Sequence, residues 1–116
     1  GKTWWEFTLT NTDLLQLLEQ QQDVNFKPGS QHLYSNSNYI LLALLIEKVS
    51  GESFVQFTSN MFDKLGMHNT SFEDDYTKIK QPVALPYFNF STWSNYEWIW
   101  NGVGDGNLFS TLPDLI

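Results

Sequence analysis

The sequence predicts an α+β chain that is predominantly helical, with a short β-hairpin or extended segments. Three observations carry this reading. Large apolar residues recur at helical spacing over residues 14–18, 40–46 and 54–65. Gly51 and Gly66 follow the second and third of these stretches, where helices end in left-handed backbone. Residues 76–100 lose the helical period, and Pro82, Pro86 and the alternating Tyr96, Trp98 and Trp100 read as loops with a short strand or hairpin.

Taken in order, residues 1–10 mix Trp4, Trp5, Phe7 and Leu9 with polar neighbours and read as an irregular or extended lead-in. Thr12 is the expected cap of the first helix, with Asp13 placed to favour the helix dipole. Leu14, Leu15, Leu17 and Leu18 then form one apolar face, and the helix fades in Gln20-Gln21-Gln22. Phe26-Lys27-Pro28-Gly29 signals a turn, and Gln31 to Asn36 reads as extended. Ser35, Asn36 or Ser37 caps a second helix that runs to about Ser50. From Ile40 to Ile46 this helix is apolar on every side, which predicts burial all round. Ser53 caps a third helix whose inner face is expected to carry Phe54, Phe57, Met61 and Leu65. Glu73-Asp74-Asp75 reads as a solvated acidic stretch, and Gly102, Gly104 and Gly106 as a flexible turn. Thr111, Pro113 and Asp114 look like the start of another helix. The chain stops two residues later, so residues 1–116 are expected to be one fragment of a longer domain.

Composition narrows the function. The chain has 116 residues, 41% of them hydrophobic, and a formal charge of -7. That charge argues against a nucleic-acid partner or an anionic membrane, both of which reward clustered Lys and Arg. All six basic residues are Lys, so no planar fork is present for bidentate carboxylate or phosphate recognition. With no Cys, disulfides and thiolate chemistry are excluded. His32 and His68 sit in no metal-binding motif, and Glu73-Asp74-Asp75 lacks the spacing of a calcium loop, so neither a metal nor a cofactor is expected. The longest apolar run, Tyr39 to Ile46, is too short to cross a bilayer.

The candidate chemistry lies in Tyr34-Ser35-Asn36. In an extended segment, residues two apart face the same side. A Tyr hydroxyl beside a nucleophilic Ser and a Lys can relay a proton. A phenol ordinarily titrates at about pH 10, so this role needs cations close by. An Asn there offers an amide NH2 to a substrate carbonyl and a carbonyl oxygen to a Lys. Taken alone, the triplet is as well explained by a packed Tyr and a helix-capping Asn.

Its surroundings add to it. Phe26-Lys27-Pro28-Gly29 precedes the triplet; Tyr39, the Leu-rich helix and Glu47-Lys48-Val49-Ser50-Gly51 follow. Then come Phe57, Phe62, Lys64-Leu65-Gly66-Met67, Thr70 and Phe72, and finally Gly104-Asp105-Gly106-Asn107-Leu108-Phe109-Ser110-Thr111 with Asp114-Leu115. This succession resembles the middle of the serine β-lactamase-like family, which includes class C β-lactamases, D-alanyl-D-alanine carboxypeptidases and related esterases and aminopeptidases. The resemblance spans nearly the whole chain and is weakest over residues 73–100.

It implies that the chain is the helical part of a β-lactamase/transpeptidase-like fold and that its partners are the remainder of that domain and a small-molecule or peptide substrate. Tyr34 would relay the proton, and Asn36 would be both a catalytic and a substrate-binding residue. By resemblance, the location would be periplasmic, membrane-anchored or secreted. The family's Ser-x-x-Lys nucleophile motif and its Lys-Thr-Gly or His-x-Gly motif are both absent here. The expectation is therefore an inert piece of an acyl-enzyme hydrolase acting on β-lactams, D-amino-acid peptides or small esters, able to self-associate through uncovered apolar surface. A non-catalytic sensor or binding module of the same fold is the alternative. His32, Lys64 and Asn107 depart from the family's usual residues. At 107, where a second consecutive Gly is common, Asn is the substitute that best tolerates positive φ.

Overall fold

Side-chain caps set where the helices begin. In the computed structural model, which describes residues 9–75, 78, 79, 82–84 and 101–116, helix α1 spans Asn11–Glu19 and is capped by Thr10. The expected cap was Thr12. Thr10 takes its place because Asp13 then falls at the third helical position and closes a capping box. The Asp13 amide donates to Thr10 Oγ1 at 3.3 Å, and the Thr10 amide donates to Asp13 Oδ2 at 2.9 Å. The turn before the second helix forms as expected, with the Ser30 amide donating to the Lys27 carbonyl and Gly29 at φ 81°.

Helix α2 spans Asn36–Ser50 and ends at Gly51, which adopts φ 75° and donates its N–H to the Glu47 carbonyl. Ile40 and Ala43 are buried. The expected burial on every side is not observed: Leu42, Leu45 and Val49 are 53%, 54% and 79% exposed. An all-apolar helix asks to be covered, but α1 and α3 pack on it over only part of its circumference.

Helix α3 spans Phe54–Lys64, capped by the Ser53 hydroxyl. The Glu47 carboxylate of α2 accepts the Phe54 amide at 2.8 Å, so it satisfies one of the amides left over at the start of α3. The buried face is Phe54, Thr58 and Phe62, while Phe57, Met61 and Leu65 are exposed. The expected face is thus rotated. Its seam runs through a threonine, which an apolar count passes over. The Thr58 hydroxyl donates to the Phe54 carbonyl at 2.7 Å and is buried without cost to its hydrogen bonding.

Strands β1 (Ser71–Phe72) and β2 (Leu108–Phe109) pair antiparallel, with Ser71 opposite Phe109 and Phe72 opposite Leu108. This pairing joins distant segments and is not a tight hairpin. The aromatic alternation of residues 96–100 and most of the lead-in lie outside the described residues. The Phe72 ring meets Phe54 edge-on at 4.9 Å and stacks near Phe62 at 6.2 Å. Ala43, Phe54 and Val103 form the core, with Ile46, Val55 and Phe72 packed against it. Helix α4, Leu112–Leu115, begins at Thr111 as its Pro113 and Asp114 suggested.

The segment before β2 is pinned from two sides. The Asn101 amide donates to the Leu9 carbonyl at 2.8 Å. The buried Asn11 side chain donates to the Val103 carbonyl and accepts the Val103 amide, both at 2.9 Å. Gly104, at φ 108°, lies so close to α2 that a Cβ there would come within 2.8 Å of Ala43 Cβ and of the Tyr39 carbonyl oxygen. Asn107 takes φ 60°, as expected for Asn in place of Gly, and its amide donates to the Gly102 carbonyl at 2.9 Å.

Two stability predictions follow from these contacts. Gly104→Ala should destabilise the chain by roughly 2–3 kcal/mol, because neither neighbour is a flexible side-chain tip and the backbone conformation disfavours a Cβ. Asn11→Ala should cost about 1–3 kcal/mol by leaving the buried Val103 peptide unpaired. Urea unfolding followed by circular dichroism measures both, and wild-type midpoints would contradict the pinned segment.

Candidate functional site

Tyr34-Ser35-Asn36 straddles the change from extended chain to helix. Ser35 is extended, at φ -144° and ψ 121°, and is the N-cap of α2 without a side-chain capping bond. Asn36 is already the first helical residue. The strand-like alternation expected to align Tyr34 with Asn36 therefore ends at Ser35, and the two side chains have different surroundings. Tyr34 is 63% exposed, and its ring lies 5.6 Å from that of Tyr39 at 35°. Asn36 lines a shallow recess of about 350 Å³ together with Leu14, Ser37, Ile40 and Asp105.

Three parts of the chain build that recess. The α1 face supplies Leu14, the first turn and a half of α2 supplies Asn36, Ser37 and Ile40, and the pinned segment supplies Asp105. Its walls present an amide, a hydroxyl, a carboxylate and two apolar side chains, which suits a small polar group on an apolar stem. Asp105 stood in the Gly104-to-Thr111 motif without a role of its own, and Asn11 was not singled out at all. The local signal for Asp105 was a carboxylate between two glycines at 104 and 106, where tight backbone can bring a side chain up to a helix. Nothing local marks Asn11, whose partner is 92 residues away.

A larger recess, about 800 Å³, includes His68, Thr70, Glu73, Val83, Asn107 and Ser110 in its walls. Size alone does not make it the reactive site, since Tyr34 and Asn36 are not part of it. Both His are exposed. The Nδ1 of His68 lies 3.4 Å from Asp63 Oδ1, because the turn at Gly66 folds it back toward the end of α3. Both side chains are well exposed, so the pair contributes little. Among the described residues no group of three or more His, Asp or Glu could hold a metal ion, and no helix is long and apolar enough to cross a membrane.

Asp114 ties β2 and α4 to the segment after α3. Its Oδ2 accepts the Asn69 amide at 2.8 Å and the Thr70 hydroxyl at 2.7 Å. Thr70 Oγ1 and Ser110 Oγ are 2.8 Å apart, and because Thr70 gives its proton to Asp114, Ser110 is the donor. The Thr70 hydrogen bond is the main cause that holds the Asp114 carboxyl below its ordinary value of 3.8, ahead of the opposing effect of burial. A carboxyl depressed on folding stabilises the fold above its unfolded value, and that contribution fades as pH falls through its folded value. Acidification below about pH 4 should therefore loosen the attachment of α4. Faster hydrogen exchange at the Asn69 amide measures this. Asp114→Asn should remove most of that acid dependence, and an unchanged acid profile would contradict the assignment.

A family model described as Beta-lactamase matches residues 2–116. The chain is similar to the serine beta-lactamase-like protein LACTB, mitochondrial, of Mus musculus and of Homo sapiens. Each is 33% identical over 103 residues, covering 78% of this chain and 17% of the relative. It is also similar to the teichoic acid D-alanine hydrolase of Staphylococcus aureus, 29% identical over 100 residues, covering 83% of this chain and 25% of that protein. The chain thus spans a quarter or less of the length of these relatives. No solved structure matches it.

Proposed function

This chain belongs to the beta-lactamase family of serine hydrolases, and on that premise we propose that it is the central piece of an enzyme that cleaves amide or ester bonds through an acyl-enzyme. Family members act on small-molecule or peptide substrates. The observation that carries the reading is the placement of Asn36: it opens α2 and lines a shallow recess to which Asp105 also contributes.

In the proposed reaction a serine from a Ser-x-x-Lys motif elsewhere in the protein attacks the substrate carbonyl. The Tyr34 hydroxyl takes part in passing the serine proton to the leaving group. Asn36 donates its amide N–H to the substrate carbonyl beside the reacting bond and turns its carbonyl oxygen to the lysine. Tyr34 is solvent-exposed in this chain, as a group awaiting the rest of a site would be. Water then releases the acyl group. Candidate substrates are β-lactams, D-amino-acid peptides and small esters, and the similarity to a teichoic acid D-alanine hydrolase favours D-alanyl derivatives among them. A non-catalytic sensor or binding module with the same fold is the second reading. Reading the complete gene for that motif separates the two.

The test of the site uses the full-length protein with a chromogenic β-lactam and a small ester. Tyr34→Phe should lower kcat by about 100-fold or more, and Asn36→Ala by a comparable factor. The 116-residue chain alone should show no turnover. Hydrolysis that survives both substitutions would overturn the assignment.

The rest of the domain is the proposed partner for the exposed row Leu42, Leu45 and Val49, joined by Leu112, Leu115 and Ile116 at the other end of the chain. Isolated, the chain should self-associate to shield these side chains. Light scattering checks this, and a monodisperse monomer with a high melting temperature would contradict it.

A further inference from the structure

We infer that Tyr39 is a positioning residue for Tyr34: its ring, carried on α2, fixes the direction from which the Tyr34 hydroxyl enters the site. This inference rests on the reading of Tyr34 as the proton-relay residue. Ser35 is the N-cap of α2, so Tyr34 is the residue just outside the helix and Tyr39 is the fourth residue within it. Apolar side chains at these two places pack across the cap as a staple and set the angle at which the chain runs into a helix. Here two aromatic rings do so, with centroids 5.6 Å apart and planes tilted by 35°.

The staple matters more at this helix start than it would at the others. The caps of α1 and α3 each hold their helix by a side-chain bond, Thr10 accepting the Asp13 amide and Ser53 the Gln56 amide. Ser35 makes no such bond. The Asn38 amide donates to the Ser35 carbonyl at 3.2 Å, a bond that fixes the peptide after Ser35 and not the one before it. Neither ring is buried, Tyr34 being 63% and Tyr39 45% exposed, so the contact between them and not a surrounding core sets where the Tyr34 ring lies. Tyr39 is the firmer partner. It is part of the helix, and its carbonyl oxygen lies against Gly104, where a Cβ would come within 2.8 Å of it. Val103, next in the chain, is locked to Asn11 by two hydrogen bonds. Asn36 is itself helical and does not depend on the entry angle. Loss of the Tyr39 ring therefore misdirects the Tyr34 hydroxyl without loosening the hold of Asn36 on a substrate, and a reacting group displaced by about 1 Å costs rate steeply.

The experiment is a double-mutant cycle between positions 34 and 39 in the full-length protein, read as kcat and KM on a small chromogenic ester. Tyr39→Leu keeps an apolar side chain but lacks the flat ring. It should lower kcat by about tenfold or more while KM changes by less than about twofold. Tyr39→Phe, which keeps the ring, should retain the native kcat. In the Tyr34→Phe background no hydroxyl remains to be aimed, so Tyr39→Leu should cause no further loss. Equal losses in the two backgrounds overturn the inference, because they would make Tyr39 a support of α2 alone. So does a native kcat in Tyr39→Leu, or a loss in Tyr39→Phe as large as that in Tyr39→Leu, which would move the effect to the Tyr39 hydroxyl. Circular dichroism checks folding, and Tyr39→Met is a second ring-free variant to which the same outcomes apply. Tyr34→Phe separates this from failure of the site itself. If it slows hydrolysis while Tyr39→Leu does not, the positioning role alone is wrong. If hydrolysis survives Tyr34→Phe undiminished, the reading of Tyr34 fails and the positioning role falls with it.

Discussion

The Asn11 carboxamide grips the Val103 peptide through two buried hydrogen bonds of 2.9 Å, one given and one received. A side chain here completes a backbone peptide in the way a neighbouring strand would. It does so across 92 residues, a separation whose closure entropy grows only slowly with length. Much of the geometry around Asn36 follows from it. With its peptide satisfied, Val103 can bury its side chain beside Ala43 and Phe54. Gly104 then lies directly on α2, and Asp105 reaches the recess at the helix start.

A second attachment holds the other end of the same segment. The Phe72 ring fills the angle between Phe54 and Phe62, and β1 pairs with β2 beside it. Asp114 closes that end by accepting hydrogen bonds from the Asn69 amide and the Thr70 hydroxyl. Residues 101–116 are thus fastened to the helical part at two separated places, once by an amide and once by aromatic packing with a carboxylate. Of the two, the carboxylate end is sensitive to acid, whereas the Asn11–Val103 hydrogen bonds involve no titrating group.

What could be read in advance was local. Gly51 ending α2, Ser53 capping α3, the turn at Gly29 and the positive φ of Asn107 each depend on a few adjacent residues, and each is present. The misreadings turned on side-chain hydrogen bonds and on helix neighbours that an apolar count does not weigh. Thr10 displaced Thr12 as the cap because Asp13 could answer it three residues on. The inner face of α3 turned out to contain Thr58, since that hydroxyl bonds back to its own helix and can be buried. The apolar run of α2 marked a need for burial without saying that the neighbours in this chain meet only part of it. Of the candidate site, Tyr34 and Asn36 were legible because the order of motifs around them is distinctive. Asp105 joins the recess only because the Val103–Asn107 segment lies against α2.

The central proposal is that the recess at the start of α2 forms one wall of an acyl-enzyme site completed by residues outside this chain. The most direct measurement is a crystal structure of the full-length protein trapped with a slowly released β-lactam. The account predicts a covalent acyl group on a serine of a Ser-x-x-Lys motif, with its amide carbonyl within hydrogen-bonding distance of the Asn36 side chain and the Tyr34 hydroxyl facing the serine oxygen. An acyl group bound elsewhere, with Asn36 and Tyr34 remote from it, would contradict the account.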